Sequence, residues 1–128
     1  MLLVEDSLTI LSVVKYFLEL EGFEVLVAKD GVAGLEMARR HKPDVIVSDY
    51  SMPGMNGLEM LKALRADPLT QGIAILMLTS EASVEKETQA LEVGADDYIL
   101  KPVEPRRLAA RVKAALIRSR ERATVSKP

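Results

Sequence analysis

Short apolar runs alternate five times with longer amphipathic segments along this 128-residue chain. Runs of this length that are rich in Val, Ile and Leu and end at glycine, proline or charged residues are typical of buried strands. They occupy residues 2–4, 23–28, 44–48, 74–79 and 97–100. Five such strand–helix repeats predict one α/β domain with a doubly wound parallel sheet, covered by helices on both faces.

The segments between the strands carry apolar residues at the spacing of one helical face. The predicted inward faces are Leu11, Val14, Phe17 and Leu18 in the first helix, Val32, Leu35 and Ala38 in the second, Leu58, Leu61 and Leu64 in the third, Val84, Thr88 and Leu91 in the fourth, and Leu108, Val112, Ala115 and Leu116 in the fifth. Gly22 and Gly94 stand where a glycine caps a helix C-terminus.

The composition favours a soluble domain of a reducing compartment, and we expect a cytoplasmic protein. Cysteine is absent, which excludes disulfides and thiolate metal sites. No apolar run approaches the roughly 18 residues of a membrane span. Residues 1–100 have a net charge of −9 and residues 101–128 a net charge of +7. The basic end lacks aromatic residues for base stacking and its cations spread round a helix, so we expect no direct nucleic-acid binding by this chain.

Charged and hydroxyl side chains follow four of the predicted strands. Glu5 and Asp6 follow the first strand, Asp49 the third and Lys101 the fifth, while Thr79 ends the fourth. In sheets of this class ligands bind beyond the carboxyl ends of the strands, at the point where strand order reverses. Clustered carboxylates repel one another, and a hard divalent cation relieves that repulsion. Oxygen ligands without His or Cys favour Mg²⁺ over zinc.

A metal, a lysine and a hydroxyl donor together favour phosphoryl transfer, because its catalysis consists mostly of positioning and charge stabilisation. Asp49 is then the candidate nucleophile, forming an aspartyl-phosphate. Each residue alone has a simpler interpretation. Residues 5–7 could cap the first helix, Asp49 could form a turn before Pro53, and Thr79 and Lys101 could be merely structural or exposed. Their convergence on one edge of the sheet favours the functional interpretation.

The segments "LLVEDS", "DVIVSDYSMPGMNGLEML", "ILMLTSEA" and "GADDYILKP" resemble those of response-regulator receiver domains from two-component signalling. The resemblance covers residues 1–122 and leaves 123–128 as a tail or the start of a linker. It implies a flavodoxin-like fold with strand order 2-1-3-4-5. It also implies a phosphoacceptor signalling domain rather than an enzyme, one that assists only its own phosphorylation and dephosphorylation.

By resemblance, Asp49 accepts a phosphoryl group from the phosphohistidine of a sensor histidine kinase or phosphotransfer protein. Asp6 and Asp49 would ligate Mg²⁺ directly, Glu5 mostly through water, and Ser51 through its backbone carbonyl. Lys101 would pair with phosphoryl oxygens, and its bond to Pro102 is expected to be cis.

The resemblance further makes Thr79 and Tyr98 a switch pair. Movement of Thr79 toward the phosphoryl group would vacate space for the Tyr98 ring and remodel the surface of the fourth helix, fifth strand and fifth helix. That surface would regulate a downstream effector protein or a fused output domain, and would serve for homodimerisation. Ser51 and Glu81 occupy positions that tune phosphoryl loss. The simpler interpretation of Tyr98 is a strand aromatic with its hydroxyl at the surface.

Two other functions compete with this one. A receiver-like interaction module that is never phosphorylated would keep the fold and leave the acidic edge vestigial. A phosphatase of the haloacid dehalogenase type also forms an aspartyl-phosphate, but it requires a second Asp two residues after the nucleophile on the first strand. Here Ser51 stands in that place and Asp49 follows the third strand, which disfavours the phosphatase.

Overall fold

A computed structural model describes residues 1–125. Its strands are β1 (Leu2–Val4), β2 (Leu26–Ala28), β3 (Val45–Ser48), β4 (Ala74–Thr79) and β5 (Asp97–Leu100). Its helices are α1 (Leu8–Leu20), α2 (Gly31–His41), α3 (Gly57–Ala66), α4 (Val84–Val93) and α5 (Pro105–Val125).

The five strands form one parallel sheet in the order β2-β1-β3-β4-β5, which confirms the predicted fold. β1 is the first strand in the chain yet lies inside the sheet, so strand order reverses between β1 and β3. In this register Val4 lies between Ala28 of β2 and Ser48 of β3. The carboxyl ends of β1, β2 and β3 therefore stop at one level.

Side chains alternate between the two faces of the sheet and build two apolar cores. Leu2, Val4 and Ile46 face α2, α3 and α4, whereas Leu3 and Val47 face α1 and α5. The predicted inward faces of two helices are confirmed. Leu61 and Leu64 of α3 are buried, and Leu58 partly so. In α5 the predicted Leu108, Val112 and Ala115 are buried, as is Ala109, and Leu116 packs against this core.

Local capping explains where the helices begin. Ser7, Asp30, Asn56 and Ser83 each accept a hydrogen bond from a backbone N–H in the first turn of the helix that follows. These short polar side chains satisfy donors that have no partner within the helix. Each of these four helices therefore begins at the residue after its cap.

Two predicted strands are too long. The predicted strand 23–28 is only Leu26–Ala28, and the predicted strand 44–48 begins at Val45. β2 is an edge strand whose one neighbour, β1, is three residues long, so only three residues of β2 find parallel partners. Strand length here follows the partner and not the apolar run.

Five residues assigned to inward faces of helices are exposed, four of them in α4 and α2. Val84, Thr88 and Leu91 of α4 and Val32 of α2 face solvent. The predicted Leu35 and Ala38 of α2 are buried, and small residues make the other inward contacts of these two helices. Ala90 is the buried residue of α4, and α2 lies so close that a Cβ on Gly34 would be 2.9 Å from Val4 Cγ2. Phe17 of α1 was also predicted inward, but it is 38% exposed and lies at the rim of the core.

The last helix extends beyond the predicted domain limit. α5 continues to Val125, whereas residues 126–128 of the predicted tail lie outside the described residues. The domain limits, 1–122 with a tail or linker at 123–128, remain a prediction. Within residues 1–125 none of the helices has the length and apolarity that crossing a membrane would require.

Gly57 permits a close approach between the start of α3 and the end of β3. A Cβ at this position would lie 2.3 Å from the backbone oxygen of Asp49 and 2.8 Å from Met77 Cε. We expect Gly57→Ala to lower the free energy of unfolding by about 1–3 kcal/mol, because a backbone atom cannot move aside easily. Urea denaturation measures this loss.

Gly72→Ala is the matched control for this substitution, because nothing lies within 4 Å of its added Cβ. We expect its stability to stay within about 1 kcal/mol of the wild type. Equal losses in both variants would contradict the steric explanation.

Candidate functional site

Backbone hydrogen bonds of the sheet continue past the strand ends and fix three site residues. Glu5 N donates to Ala28 O at 3.0 Å, and Asp49 N donates to Val4 O at 3.0 Å. Lys101 N donates to Thr79 O at 2.8 Å. Each of these residues is thus held as firmly as a strand residue, although its side chain points beyond the sheet.

Three carboxylates converge at the reversal of strand order. One oxygen from each of Glu5, Asp6 and Asp49 lies within 4.8 Å of the others. Glu5 is 3% exposed, Asp49 is half-buried and Asp6 is exposed. The predicted acidic cluster is therefore present. Its carboxylates differ in exposure, from the buried Glu5 to the solvent-exposed Asp6.

Lys101 supplies the positive charge within this cluster. Its Nζ lies 2.7 Å from Glu5 Oε1 and 3.6 Å from Asp49 Oδ2. Burial raises the pKa of Glu5, while the bonds from Lys101 and from the Ser7 N–H oppose that rise. The peptide bond between Lys101 and Pro102 is cis, as the resemblance implies.

Asp49 is oriented by its neighbours along the chain. Its Oδ1 accepts a hydrogen bond from Tyr50 N at 2.8 Å, and its backbone oxygen accepts one from Ser48 Oγ at 2.8 Å. A cleft of about 620 Å³ opens in front of the carboxylate, and Lys101 and Ser80 also line it. Asp49, Lys101 and Ser80 are therefore reachable from the same cleft.

Thr79 and Tyr98 meet at the backbone of Glu81. Thr79 is fully buried, and its Oγ1 accepts a hydrogen bond from Glu81 N at 3.2 Å. The Tyr98 hydroxyl donates to Glu81 O at 2.7 Å. Tyr98 as a whole is 8% exposed, and its hydroxyl is bonded to a backbone carbonyl of the neighbouring loop.

The sequence matches the response regulator receiver domain model over residues 1–113. The chain belongs to this family. It is 42% identical over 118 residues to the phosphate regulon transcriptional regulatory protein PhoB of Pseudomonas aeruginosa. It is 43% identical over 118 residues to the alkaline phosphatase synthesis transcriptional regulatory protein PhoP of Bacillus subtilis. Both matches cover 92% of the chain, but 52% of PhoB and 48% of PhoP, so the chain spans about half the length of these relatives.

A solved structure supports the same assignment. The chemotaxis protein CheY4 of Vibrio cholerae superposes with a TM-score of 0.84 and 38% sequence identity, over 89% of this chain and 95% of that one. The resemblance inferred from the motifs is thereby confirmed, and the chain is a receiver domain of two-component response regulators.

The receiver domain also contains a polar bridge that the motifs did not predict in full. Ser51 Oγ donates to Glu81 Oε1 at 2.8 Å, and Lys86 Nζ lies 3.1 Å from Glu81 Oε2. The bonds from Ser51 and Lys86 lower the pKa of Glu81. The sequence singled out Ser51 and Glu81 but not Lys86. The one feature that could have pointed to Lys86 is its position three residues after Ser83, the residue that caps α4.

Burial raises the pKa of the Tyr98 phenol above its ordinary value of 10.0. The neutral phenol is favoured in the folded state, so its contribution to stability is complete below pH 10.0 and is lost as the pH rises through the raised pKa. We expect an ultraviolet absorbance titration of the receiver domain to show a late component that Tyr98→Phe removes.

Tyr16→Phe is the control for this titration, because Tyr16 is 59% exposed. It should keep the late component. A late component that survives in Tyr98→Phe would contradict the assignment.

Proposed function

We propose that this receiver domain is a phosphorylation-dependent switch in which Asp49 accepts a phosphoryl group from the phosphohistidine of a histidine kinase or phosphotransfer protein, with Mg²⁺. The observation that carries the proposal is the position of Lys101 Nζ, 3.6 Å from Asp49 Oδ2, among carboxylate oxygens within 4.8 Å of one another. A nucleophile, a cation and a metal-binding donor set thus share one cleft.

The donor set fits Mg²⁺. Glu5, Asp6 and Asp49 present only oxygen atoms, and no His or Cys takes part in the cluster. Asp6 and Asp49 would ligate the ion directly, the Ser51 carbonyl would be a further ligand, and Glu5 would act mostly through water. Bound there, Mg²⁺ supplies positive charge against the carboxylates and the oxygens of the incoming phosphoryl group.

Transfer to Asp49 exchanges one bond to phosphorus for another. A carboxylate oxygen of Asp49 forms the new P–O bond, and the P–N bond of the phosphohistidine breaks with its electron pair left on the imidazole nitrogen. The hydrogen bond from Tyr50 N to Oδ1 fixes the plane of the carboxylate. The carboxylate of Asp49 is therefore already oriented for attack on phosphorus and does not have to change rotamer first. Such positioning of the reacting groups is what phosphoryl transfer requires.

Lys101 and Thr79 then stabilise the added charge. The ammonium group of Lys101 already lies beside both Glu5 and Asp49, so a small movement brings it to a phosphoryl oxygen. Thr79 is buried with its hydroxyl oxygen accepting from Glu81 N, which leaves the hydroxyl proton free to be donated. Together they favour a phosphorylated state with Thr79 drawn toward Asp49.

The output is a change in the surface formed by α4, β5 and α5. Tyr98 contributes its ring to the core under this surface and its hydroxyl to the Glu81 carbonyl. A shift of Thr79 changes the space available to the ring, so the populations of its buried and exposed positions change.

The partners follow from this scheme. They are a sensor histidine kinase or phosphotransfer protein upstream, and an effector protein or fused output domain downstream, with a homodimer through the same surface. PhoB and PhoP are described as transcriptional regulatory proteins and are about twice as long as the matched region, which supports an output domain. Direct nucleic-acid or membrane binding is no part of the proposed role.

The test of phosphorylation is incubation with acetyl phosphate and Mg²⁺ followed by intact mass spectrometry. We expect a gain of one phosphoryl group that is absent from Asp49→Asn and from a sample containing EDTA. A gain that persists in Asp49→Asn would place the acceptor elsewhere. No gain in the wild type, together with no Mg²⁺ binding, would favour the unphosphorylated interaction module.

Metal binding can be tested separately from phosphorylation by calorimetric titration with MgCl₂. We expect Asp6→Asn to lower Mg²⁺ affinity at least about tenfold, because it removes a charged ligand from the cluster. Asp44→Asn is the control, since Asp44 is an exposed carboxylate just before β3, at the opposite edge of the sheet. Equal losses in the two variants would indicate general charge attraction instead of a site.

A further inference from the structure

Lys86 lies in the first turn of α4 and reaches back over the loops that carry the site. Its ammonium group is 3.1 Å from Glu81 Oε2 and 5.2 Å from the centroid of the Tyr50 ring. The first contact is an ion pair. The second is within the range in which a cation is attracted to the face of an aromatic ring. Lys86 thus contacts two different loops with one group.

Both groups that Lys86 contacts also support Tyr98. The Tyr50 ring is 6% exposed and meets the Tyr98 ring nearly edge-on, with centroids 6.4 Å apart and an interplanar angle of 69°. The backbone oxygen of Glu81 accepts the hydrogen bond from the Tyr98 hydroxyl. One side of the Tyr98 ring and its hydroxyl are therefore held by residues that Lys86 positions.

The same carbonyl connects Tyr98 to α4. Glu81 O accepts hydrogen bonds from both the Tyr98 hydroxyl and the N–H of Ser83, which caps α4. α4 buries little apolar surface, since its buried residue is Ala90. The polar contacts at the first turn of α4 consequently contribute much to fixing the position of α4 relative to Tyr98.

We propose that Lys86 is a positioning residue of the switch, holding Tyr98 in its buried rotamer through the Tyr50 ring and through Glu81. The inference rests on the proposed function only in taking Tyr98 as the switch residue. It adds that α4 is coupled to Tyr98 before any phosphoryl group arrives. By linkage, a partner that displaces the Lys86 ammonium from Tyr50 and Glu81 would favour the exposed rotamer by the same factor.

The coupling can be measured in the unphosphorylated protein with 3-fluorotyrosine and fluorine NMR. The chain has three tyrosines, so three resonances are expected, and single Tyr→Phe variants assign them. Line broadening by a soluble gadolinium agent then reports how much of the time the Tyr98 ring is exposed. Lys86→Met keeps an apolar stem of similar length and removes the charge, whereas Lys86→Arg restores it.

We expect Lys86→Met to lower the ratio of buried to exposed Tyr98 about two- to fivefold, the factor that corresponds to one partly exposed cation–ring contact. Lys86→Arg should restore the ratio of the wild type. Lys113→Met, which removes an exposed cation on α5, should leave it unchanged. Thermal unfolding followed by circular dichroism checks that every variant is folded.

A Tyr98 resonance in Lys86→Met with the shift and broadening of the wild type would overturn the inference. So would an equal change in Lys113→Met, because it would indicate a general effect of charge. Because the experiment uses no phosphodonor, a response of Tyr98 to Lys86 in a protein that fails to accept phosphate would support the inference while contradicting the proposed function.

Discussion

The parallel pairing of β1 with β2 on one side and β3 on the other is the constraint on which the site depends. Asp49 N and Glu5 N extend the ladder by one hydrogen bond each beyond the strands, to Val4 O and Ala28 O. Successive residues of a strand point to opposite faces, so a slip of one residue would turn every side chain of the slipped strand to the other face and move the carboxylates apart. The register that buries the core is therefore also the register that assembles the acidic cluster.

The opposite edge of the sheet is held by a different kind of contact. Arg65 of α3 donates to the backbone oxygens of Gly94, Gln71 and Ile73, which lie in the loops before β4 and β5. Asp96 accepts from Ile75 N at 2.8 Å and pairs with the same Arg65 guanidinium at 3.2 Å. One half-buried arginine thus satisfies several carbonyl groups in the loops that lead into β4 and β5.

The contacts that hold this edge of the sheet also include residues of α5. Arg118 donates to Asp96 O, Ser119 Oγ donates to Gly72 O, and Arg122 pairs with the Asp96 carboxylate. Arg118 and Arg122, two cations of the basic end that stands out in the sequence, are therefore bound to the domain itself.

The edge of the sheet that carries the site could be predicted from the residues because it depends on local signals, whereas the strand order came from the family resemblance. Asp49, Lys101 and Glu5 each follow a short apolar run, and parallel strands bring the ends of such runs together whatever the details of packing. The failures concern properties that only neighbours determine. β2 is short because β1 is short, and α4 packs through Ala90, so its apolar stripe does not identify its inward face.

At the site, the surroundings of Tyr98 and Lys86 also depend on neighbouring elements and so could not be predicted from the sequence. A strand of alternating residues places Tyr98 on one face of the sheet, but whether its hydroxyl reaches water depends on the Glu81 carbonyl, which comes from another loop. In the sequence Lys86 looks like any exposed lysine of a helix. Only the structure shows that its ammonium group lies over the Tyr50 ring. When two loops contact each other at the carboxyl ends of the strands, neither loop has a periodic sequence pattern that indicates the contact.

The charges of the site explain why metal and phosphoryl group are expected to bind together. Glu5 is nearly buried, and its strongest partner is Lys101, at 2.7 Å. On the proposed function, Lys101 would turn to a phosphoryl oxygen on Asp49, and Glu5 would then be left as a buried anion beside two other acids, which is costly. A divalent cation among the same carboxylates would replace the lost positive charge. Lys101 would thus be free to stabilise the phosphorylated state only when another cation balances Glu5 and Asp6, and this would couple the two ligands through one side chain.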